Sequence, residues 1–377
     1  MPLRQQLSDA MAHIQGHLFP MLRSEVGPLT GEHERLVTVL GMVRVEVFVS
    51  MRDGGPGRPL KDRHALARAF IAKVVLGLPE TRMLIERLAV DATLRRLCGW
   101  ERASQVPCES TFSRAFAELA DGAVATRMHE ALIVRTLGQK LVGHISIDAT
   151  AIAAREKPIK PEKPPERPKR RMGRPRKGEV VAPKEPRRLE RQASMTVPEM
   201  LADLPTHCSI GAKCNAKGYN TSWVGYKLHV ATADGDIPAA CLLTSAHVHD
   251  SQVAIPLAKI TAGLLTSCYD LMDSAYDHPQ IAAHSQALGH VPIIEHQTRR
   301  GEKPAIEAEA RAKMHANYHN ADDVRYNQRS SAERLNSNLK DNAGGNHVRV
   351  RGAAKVLCHL TLGLLVITVE QLLRQVV

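Results

Sequence analysis

A basic, proline-rich segment at residues 155–191 divides this chain and has to stay outside any folded core. It contains 15 Lys or Arg residues against 6 Glu, 8 of the 22 prolines, and no Phe, Trp or Tyr. Such a composition cannot bury enough apolar surface to offset the entropy lost when the chain becomes ordered. We therefore predict a basic, Pro-rich linker or insertion at residues 155–205, between two parts of the molecule that fold.

The same segment carries most of the net charge of +12 on the 377 residues. An excess of positive charge indicates a polyanionic partner, either nucleic acid or an acidic membrane surface. Only 3% of the residues are aromatic, which disfavours proteins that stack single-stranded bases on Phe and Tyr. Double-stranded DNA, contacted mainly at its phosphates, fits this composition better.

Cysteine usage and hydropathy indicate the compartment. Seven cysteines spread over the chain do not form a disulfide framework and suit a reducing cytosol. The first 15 residues lack the apolar stretch of a secretory signal. The most apolar run, residues 356–369, is shorter than the about 20 residues that span a bilayer, so we predict a buried helix there. We expect a cytoplasmic protein with no membrane partner.

Helical spacing of apolar residues dominates the chain before the insertion. It predicts one helix over residues 62–76, two short helices around Leu84–Leu88 and Leu94–Leu97, and a fourth after Pro107. We expect an all-helical N-terminal domain at residues 1–130. The fourth helix presents polar side chains that resemble the DNA-reading helix of a helix-turn-helix module, namely Ser110, Thr111, Ser113 and Arg114. A plain helical bundle with a solvated polar face is the alternative.

The pattern after Gly143 is that of a mixed α/β fold. Residues 144–150 alternate as a strand does, and two strand-like runs at 223–232 and 237–244 flank an Asp-Gly pair that predicts a hairpin. A helix at 251–265, short strands at 269–272 and 291–294, and helices over the last 50 residues follow. We expect a mixed sheet with helices on its faces, its first part at 131–154 and the remainder at 206–377.

Three acidic residues lie at the ends of predicted elements or in apolar surroundings that disfavour a carboxylate. Asp148 lies inside an apolar strand, Asp273 closes another, and Glu333 lies on a late helix. Two strand carboxylates and one helix carboxylate can hold two divalent cations about 4 Å apart, as phosphodiester cleavage requires. Oxygen ligands favour Mg²⁺ or Mn²⁺. The alternative for each residue alone is surface charge or a helix cap.

The helix around Glu333 has two distinct faces when residues are projected at ~100° each. One stripe of about 60° holds Tyr326, Arg329, Glu333 and Lys340. The opposite face, predicted to be core, holds Val324, Ala332, Leu335 and Leu339. An i,i+4 pair of Arg329 with Glu333 would suit an ordinary amphipathic helix. A phosphate-binding Arg and Lys beside a metal-binding Glu accounts for the whole stripe.

The pattern Tyr326-x2-Arg329-x3-Glu333-x6-Lys340 resembles the Y-R-E-K signature of bacterial insertion-sequence transposases of the DDE type. Two aspartates precede it in that family's order, one in Ile147-Asp148-Ala149-Thr150 and one in Asp273-Ser274-Ala275-Tyr276. Other runs are also similar to the family: Trp223-x-Gly225-Tyr226-Lys227-Leu228-His229, His249-Asp250-Ser251, and Gly57-Arg58-Pro59 followed by residues 107–114. The resemblance covers most of the chain.

The resemblance implies an RNase H-like catalytic core with Asp148, Asp273 and Glu333 as the ligands of two Mg²⁺ or Mn²⁺ ions. Tyr326, Arg329 and Lys340 would contact transposon-end DNA. The implied activity is binding of terminal inverted repeats, cleavage of the element's ends and joining of the 3′-hydroxyl to target DNA, with a homodimer in the synaptic complex. It would act on the bacterial chromosome in the cytoplasm.

Some points of the resemblance stay open. No Trp follows Trp223, whereas some relatives stack a flipped base on a Trp near the second Asp. Asp270 and Asp277 are close enough in sequence to replace Asp273 as a ligand. A catalytically silent DNA-binding protein and an RNase H-like nuclease without strand transfer are the alternative functions.

The insertion carries a motif of its own at residues 169–177, in which Arg174 and Arg176 flank a proline. An extended Arg-Pro-Arg can lie in a narrow A·T-rich minor groove, where the negative potential attracts guanidinium groups. A solvated basic tether that adds non-specific affinity is the equal alternative.

Overall fold

The computed structural model describes residues 2–50, 61–159, 186–214, 218–298 and 302–376. The motif at 57–59 and the greater part of the predicted insertion, including Arg174 and Arg176, lie outside these residues. The hypothesis that the two arginines enter a minor groove therefore stays a prediction.

The chain before the sheet is helical, as predicted. Its helices are α1 (Leu3–His13), α2 (Phe19–Val26), α3 (Gly31–Val43), α4 (Arg63–Val75), α5 (Thr81–Val90), α6 (Ala92–Cys98), α7 (Glu109–Asp121) and α8 (Val124–Leu137). Helices α4 to α7 match the four predicted ones. Phe112 and Phe116 on α7 are buried edge-on against Phe70 of α4, with ring centroids 5.7 and 5.0 Å apart. The apolar face of α7 is thus packed into the core against α4.

The connection between α6 and α7 differs from that of a helix-turn-helix. Residues 99–108, with a 3₁₀ turn at Ala103–Gln105, separate the two helices. The helix-turn-helix motif joins its helices through three or four residues. Glycine at position 99 (φ +113°) ends α6, and the chain then makes a long excursion before α7 begins. The α6–α7 segment therefore lacks the tight turn of that motif.

Six strands form one mixed sheet: β1 (Leu141–Ala153), β2 (Ser209–Cys214), β3 (Asn220–Ala233), β4 (Ile237–Ser245), β5 (Thr266–Met272) and β6 (Val291–Ile294). Strand β3 lies antiparallel to both β1 and β4, while β5 lies parallel to β1 and β6 parallel to β5. The predicted β3–β4 hairpin is confirmed. Its turn uses Gly235 and Asp236 at positive φ, as a tight hairpin turn requires.

Strand β3 changes partner halfway along its length. Residues 220–225 pair with β2, and residues 226–233 pair with β4. Gly225 lies at the changeover with φ +153°, and a Cβ there would lie 2.1 Å from the Ile152 carbonyl oxygen of β1. Only glycine fits, because β1 approaches the backbone too closely for any side chain. The glycine of the Trp223–His229 motif thus has a structural reason.

The remaining helices are α9 (Arg188–Gln192), α10 (Val197–Asp203), α11 (Ser251–Leu264), α12 (Pro279–Ala287), α13 (Lys303–His315), α14 (Ala321–Tyr326), α15 (Ser330–Asn342) and α16 (Ala353–Arg374). Helices α9 and α10 correct the expectation that the linker continues to residue 205. Leu189 and Met200 are buried, and both helices pack against α11. The two helices together contain five apolar residues, which are too few to show a periodic pattern in the sequence.

Helix α16 lies at the centre of the molecule. It contacts α3, α4, α7 and α8, and also β4 and α15. Its 22 residues are long and apolar enough to cross a membrane by length and composition, but 83% of its most apolar window is buried inside the protein. The 14-residue length that we inferred was too short, whereas the predicted burial is confirmed. A helix that is apolar on all sides is stable in water only when it is covered on all sides.

Three buried histidines make the stability of this core dependent on pH. His129, His229 and His359 are at most 8% exposed, and burial lowers the pKa of each to about 4. Nε2 of His359 donates to the Gly344 carbonyl, and His129 pairs with Thr368 of α16, both at 3.0 Å. Each ring is therefore buried in its neutral form.

We predict that the protein loses stability as the pH falls from about 6.5 towards 4. A folded pKa below the unfolded value of about 6.5 stabilises the fold above pH 6.5, and this contribution disappears as the pH falls through the folded pKa, on the order of 3 kcal/mol per histidine. Urea unfolding at several pH values measures it. His129→Gln should lower the slope of the unfolding free energy against pH by the equivalent of up to one bound proton. His13→Gln, on the exposed face of α1, should leave this slope unchanged. A free energy of unfolding that is constant from pH 7 to about 4.5 would contradict this.

Candidate active site

Parallel pairing of β1 with β5 brings two of the predicted carboxylates together. Ile147 is the register partner of Met272. The residues that follow these two, Asp148 and Asp273, therefore lie side by side. Asp148 projects from the middle of β1, and Asp273 follows the last residue of β5. Carboxyl ends of parallel strands are a usual place for functional groups.

Burial and like charge raise the pKa of both carboxyl groups. For Asp148 the largest cause is burial, and the charge of Asp273 adds to it, while Arg329 acts in the opposite direction. For Asp273 burial again comes first, with Asp250 and Glu295 adding like charge. The site is thus a partly desolvated concentration of negative charge, which a cation would neutralise.

The helix expected to carry the third carboxylate is interrupted. Helix α14 ends at Tyr326, a 3₁₀ turn covers Asn327–Arg329, and α15 begins at Ser330. The projection of Tyr326 and Val324 onto one continuous helix was therefore wrong, and Val324 is 53% exposed rather than core. Within α15 the prediction is confirmed, because Ala332, Leu335 and Leu339 are buried.

Arg329 lies between the predicted carboxylates. Its Nη1 atom is 3.8 Å from Oδ1 of Asp148, and its Nη2 atom donates to Oε1 of Glu333 at 2.9 Å. The guanidinium is only 18% exposed, whereas Glu333 is 62% exposed. Glu333 thus faces Arg329 and solvent, and it does not join the two aspartates directly.

Tyr326 and Lys340 flank the same cluster. The Tyr326 hydroxyl donates to Oε2 of Glu295 at 3.0 Å, and its ring lies 5.9 Å from the guanidinium carbon of Arg329. Burial lowers the pKa of Lys340, and the neighbouring Lys213 lowers it further, while Asp341 and Asp148 oppose this. Lys213, on β2, is a cation near Asp148 that the sequence analysis missed.

Two polar groups at the site were also missed. Asn336, one turn after Glu333, donates its amide to Oδ2 of Asp148 at 2.9 Å. The hydroxyl of Tyr276 is buried with no hydrogen-bond partner among the described residues. Burial raises the pKa of this phenol, and Asp250, Asp148 and Asp273 raise it further. Neither could be found from periodicity, because each reaches the site only through tertiary packing.

The other strand aspartates are engaged elsewhere. Asp270 is buried and binds Ser285 and, at 3.0 Å, Nδ1 of His290. Asp277 accepts a hydrogen bond from the backbone of Gln297 at 2.9 Å. These contacts occupy both carboxylates, so Asp273 is the strand-end carboxylate that faces Asp148.

The residues present fit a divalent cation in their chemistry. Asp148 and Asp273 supply oxygen donors with an unbalanced charge, and the orphan hydroxyl of Tyr276 beside them lacks the partner that a bound water would provide. No group of three or more His, Cys, Asp or Glu side chains in the described ranges is close enough to hold a metal ion. Glu333, the third carboxylate predicted from the sequence, is paired with Arg329 at 2.9 Å.

The polar residues of α7 lie apart from this cluster. At the start of the helix, Sγ of Cys108 lies 3.2 Å from Oγ of Ser110 and 3.5 Å from Oγ1 of Thr111. These hydrogen bonds lower the pKa of the exposed Cys108 thiol to about 7. Arg114 donates back to the Ser110 carbonyl, and Ser113 is exposed. The structure does not bring these residues to the carboxylates.

We predict that Asp148→Asn raises the melting temperature at pH 7 in the presence of a chelator. A carboxyl whose folded pKa is raised favours the fold below the unfolded pKa of about 3.9 and loses that advantage as the pH rises through the folded pKa. The neutral amide still accepts from Asn336 and avoids that loss. For a chain of 377 residues, a stabilisation of about 1 kcal/mol corresponds to a gain of roughly 1–2 °C, and this gain should vanish near pH 3.5.

Glu333→Gln is the matched control for this measurement, because its side chain is 62% exposed and its charge is already screened. It should change the melting temperature by less than about 1 °C. A lower melting temperature for Asp148→Asn at pH 7 would mean that the carboxylate is stabilised rather than strained in the fold.

Comparison with known families agrees with this geometry. A family profile described as Transposase DDE domain matches residues 143–369, which is more than half of the chain and includes Asp148, Asp273 and Glu333. A second profile, described as Transposase domain (DUF772), matches residues 32–118. No curated protein and no solved structure matched the chain. With acidic residues on adjacent strands and both profiles in order along the sequence, the chain belongs to the DDE-type insertion-sequence transposases.

Proposed function

We propose that this protein binds the terminal inverted repeats of an insertion sequence, cleaves the DNA at the ends of the element and joins the freed 3′-hydroxyl to target DNA. The observation that supports it best is the pair of half-buried carboxylates, Asp148 and Asp273, facing each other within a DDE domain. Neighbouring cations on α15 and β2 suit a phosphate backbone.

The order of the strands supports an RNase H-like core. From one edge, β4 is antiparallel to β3 and β3 is antiparallel to β1, and β5 and β6 then follow parallel to β1. In this arrangement the central strand carries Asp148 and its parallel neighbour carries Asp273. Helix α15 packs across β1 and β3 and brings Glu333 to the same end of the sheet.

Asp148, Asp273 and Glu333 would hold two Mg²⁺ or Mn²⁺ ions. Such a pair, when bound, activates a water and stabilises the leaving oxygen in phosphodiester cleavage. Asn336 holds Oδ2 of Asp148, while Oδ1 lies 3.8 Å from Nη1 of Arg329 and would become free for a cation when Arg329 moves. The Tyr276 hydroxyl, which lacks a partner among the described residues, would donate a hydrogen bond to a water in the site.

Arg329 has to change partner before Glu333 can complete the site. In the free protein it neutralises part of the charge of Asp148 and pairs with Glu333. A DNA phosphate can accept two hydrogen bonds from the guanidinium, and the exposed Glu333 carboxylate is a solvent-screened competitor. Binding of DNA would therefore draw Arg329 away and release Glu333 towards the aspartates. Tyr326 and Lys340 would bind the DNA backbone on either side of this phosphate.

Other parts of the proposal concern partners. Ser110, Thr111, Ser113 and Arg114 at the exposed end of α7 are candidates for contacts to the terminal repeat, and Arg174 and Arg176 for contacts to a minor groove. Joining two ends requires at least two active sites, so a homodimer in the synaptic complex follows from the reaction. The protein would act in the bacterial cytoplasm, on the chromosome.

We predict that purified protein with Mg²⁺ cuts a duplex carrying the element's terminal repeat and joins it to a target plasmid. Asp148→Asn, Asp273→Asn and Glu333→Gln should each reduce both steps by at least about a thousandfold, since loss of a metal ligand removes several kcal/mol of transition-state stabilisation. Denaturing gels measure cleavage, and joined products are read by sequencing. Glu86→Gln, an exposed carboxylate of α5, is the control and should retain activity.

The products distinguish the alternatives. Cleavage without any joined product would indicate a nuclease. Specific binding with no cleavage, at every divalent metal and temperature tried, would indicate a DNA-binding protein that has kept the fold alone. Activity of Asp148→Asn equal to that of the wild type would overturn the assignment of the metal ligands.

A further inference from the structure

A cavity of about 470 Å³ lies between the N-terminal helices and the C-terminal helix, away from the carboxylates. Helix α4 contributes Lys73, the chain just after β1 contributes Arg155, and the start of α16 contributes Lys355. Arg349 and Arg351, on the loop before α16, complete a ring of five cations. Two carboxylates, of Glu80 and Glu109, also line it, which leaves the cavity with an excess of positive charge.

Lys73 is the least satisfied of these cations. It lies mostly below the surface, and it forms no hydrogen bond or ion pair with another described residue. Burial lowers the pKa of its ammonium to about 8, and the charge of Glu80 offsets this only in part. A partly buried ammonium without an acceptor favours a ligand that supplies one. Lys355 is half-buried and also forms no such bond within the described part of the chain.

The loop that carries the two arginines is fixed to the end of β1. Arg351 donates from Nε to the Arg155 carbonyl at 3.0 Å, and the backbone of Gly352 donates to Glu156 at 3.0 Å. The Tyr226 hydroxyl donates a hydrogen bond to the same Glu156 carboxylate at 2.7 Å. Tyr226 belongs to the Trp223–His229 motif, so this motif also helps to position the cationic loop. The cations are thus held on a preformed frame.

We propose that this cavity binds backbone phosphates of duplex DNA, as a contact distinct from the carboxylate site; the inference rests on the proposed function. Its cations come from regions far apart in sequence, on α4, after β1 and at α16, and they converge on one opening. Ser113 of α7 lies on the rim of the same cavity. The duplex would therefore bridge the helical region and the sheet.

The distance along β1 suits such a duplex. Arg155 follows Asp148 by about seven residues, so the two are at most about 23 Å apart at ~3.3 Å per strand residue. One strand of B-DNA carries a phosphate about every 3.4 Å along the helix axis. A DNA end cleaved at the carboxylates would accordingly place a phosphate at most about seven base pairs inside the element near the cavity.

The test is the salt dependence of binding to a fluorescein-labelled duplex, in EDTA so that no cleavage occurs. We compare wild type with Lys73→Met/Lys355→Gln between about 50 and 200 mM salt by anisotropy. Loss of two phosphate contacts should lower the slope of log Kobs against log salt by about 2 and weaken low-salt binding about tenfold or more. Arg4→Gln/Arg23→Gln, which removes the same charge from α1 and α2, should leave the slope within about 0.5 of wild type.

Three further measurements keep the outcome unambiguous. Lys355→Glu alone changes a half-buried position and should weaken binding, and thermal unfolding verifies that each variant is folded. Inorganic phosphate, titrated by calorimetry, distinguishes a small-anion site from a DNA contact. Phosphate binding that depends on Lys73 and Lys355, with duplex binding unchanged, would overturn the DNA assignment, and so would an unchanged salt slope. A wild-type protein that binds no duplex would instead refute the proposed function.

Discussion

Burial of helix α16 is the constraint on which the rest of the structure depends. An apolar helix of 22 residues is insoluble unless it is covered on every side. The covering layers come from the N-terminal helices on one side and from β4 and α15 on the other. Because both halves of the chain need the same helix, one continuous hydrophobic core joins residues from Leu3 to Leu372. The helical region and the sheet therefore have a fixed position relative to each other. A duplex that contacts both, as proposed above, would require this.

The carboxylate site shows a second balance, between desolvation and charge. Placing Asp148 and Asp273 on adjacent strands makes each harder to ionise, and Arg329 moderates this by sitting close to both. The same guanidinium holds Glu333 away. An arginine that neutralises the site in the free protein and prefers phosphate when DNA is present would couple substrate binding to assembly of the metal site. The protein would then avoid holding a complete nuclease centre without its substrate.

Local patterns predicted those elements whose geometry depends on near neighbours. The Asp-Gly pair specified the β3–β4 hairpin, and helical spacing located α4 to α7 and α11. Patterns failed where tertiary contacts decide. The turn at Asn327–Arg329 breaks an apparently continuous helix, so Val324 is exposed instead of buried. Helices α9 and α10 are too short and too charged to show a period, and they are held by packing on α11. Asn336 carries no local signal, and the run that contains Tyr276 gives no sign that its hydroxyl is buried at the site.

The sequence by itself determined the residue types and their order: two strand aspartates, a helix glutamate, and Arg and Lys at fixed spacing around it. It also determined the family, because the sequence matches the two transposase profiles over residues 143–369 and 32–118. Only the tertiary structure decided which of them meet. The β1–β5 register brings Asp148 next to Asp273, and the packing of α15 on β1 brings Arg329 and Asn336 to Asp148, whereas the pair of Arg329 with Glu333 follows from their i,i+4 spacing. Spacing along a chain sets which face a side chain occupies, whereas contact between distant segments depends on strand register and on the packing of the core.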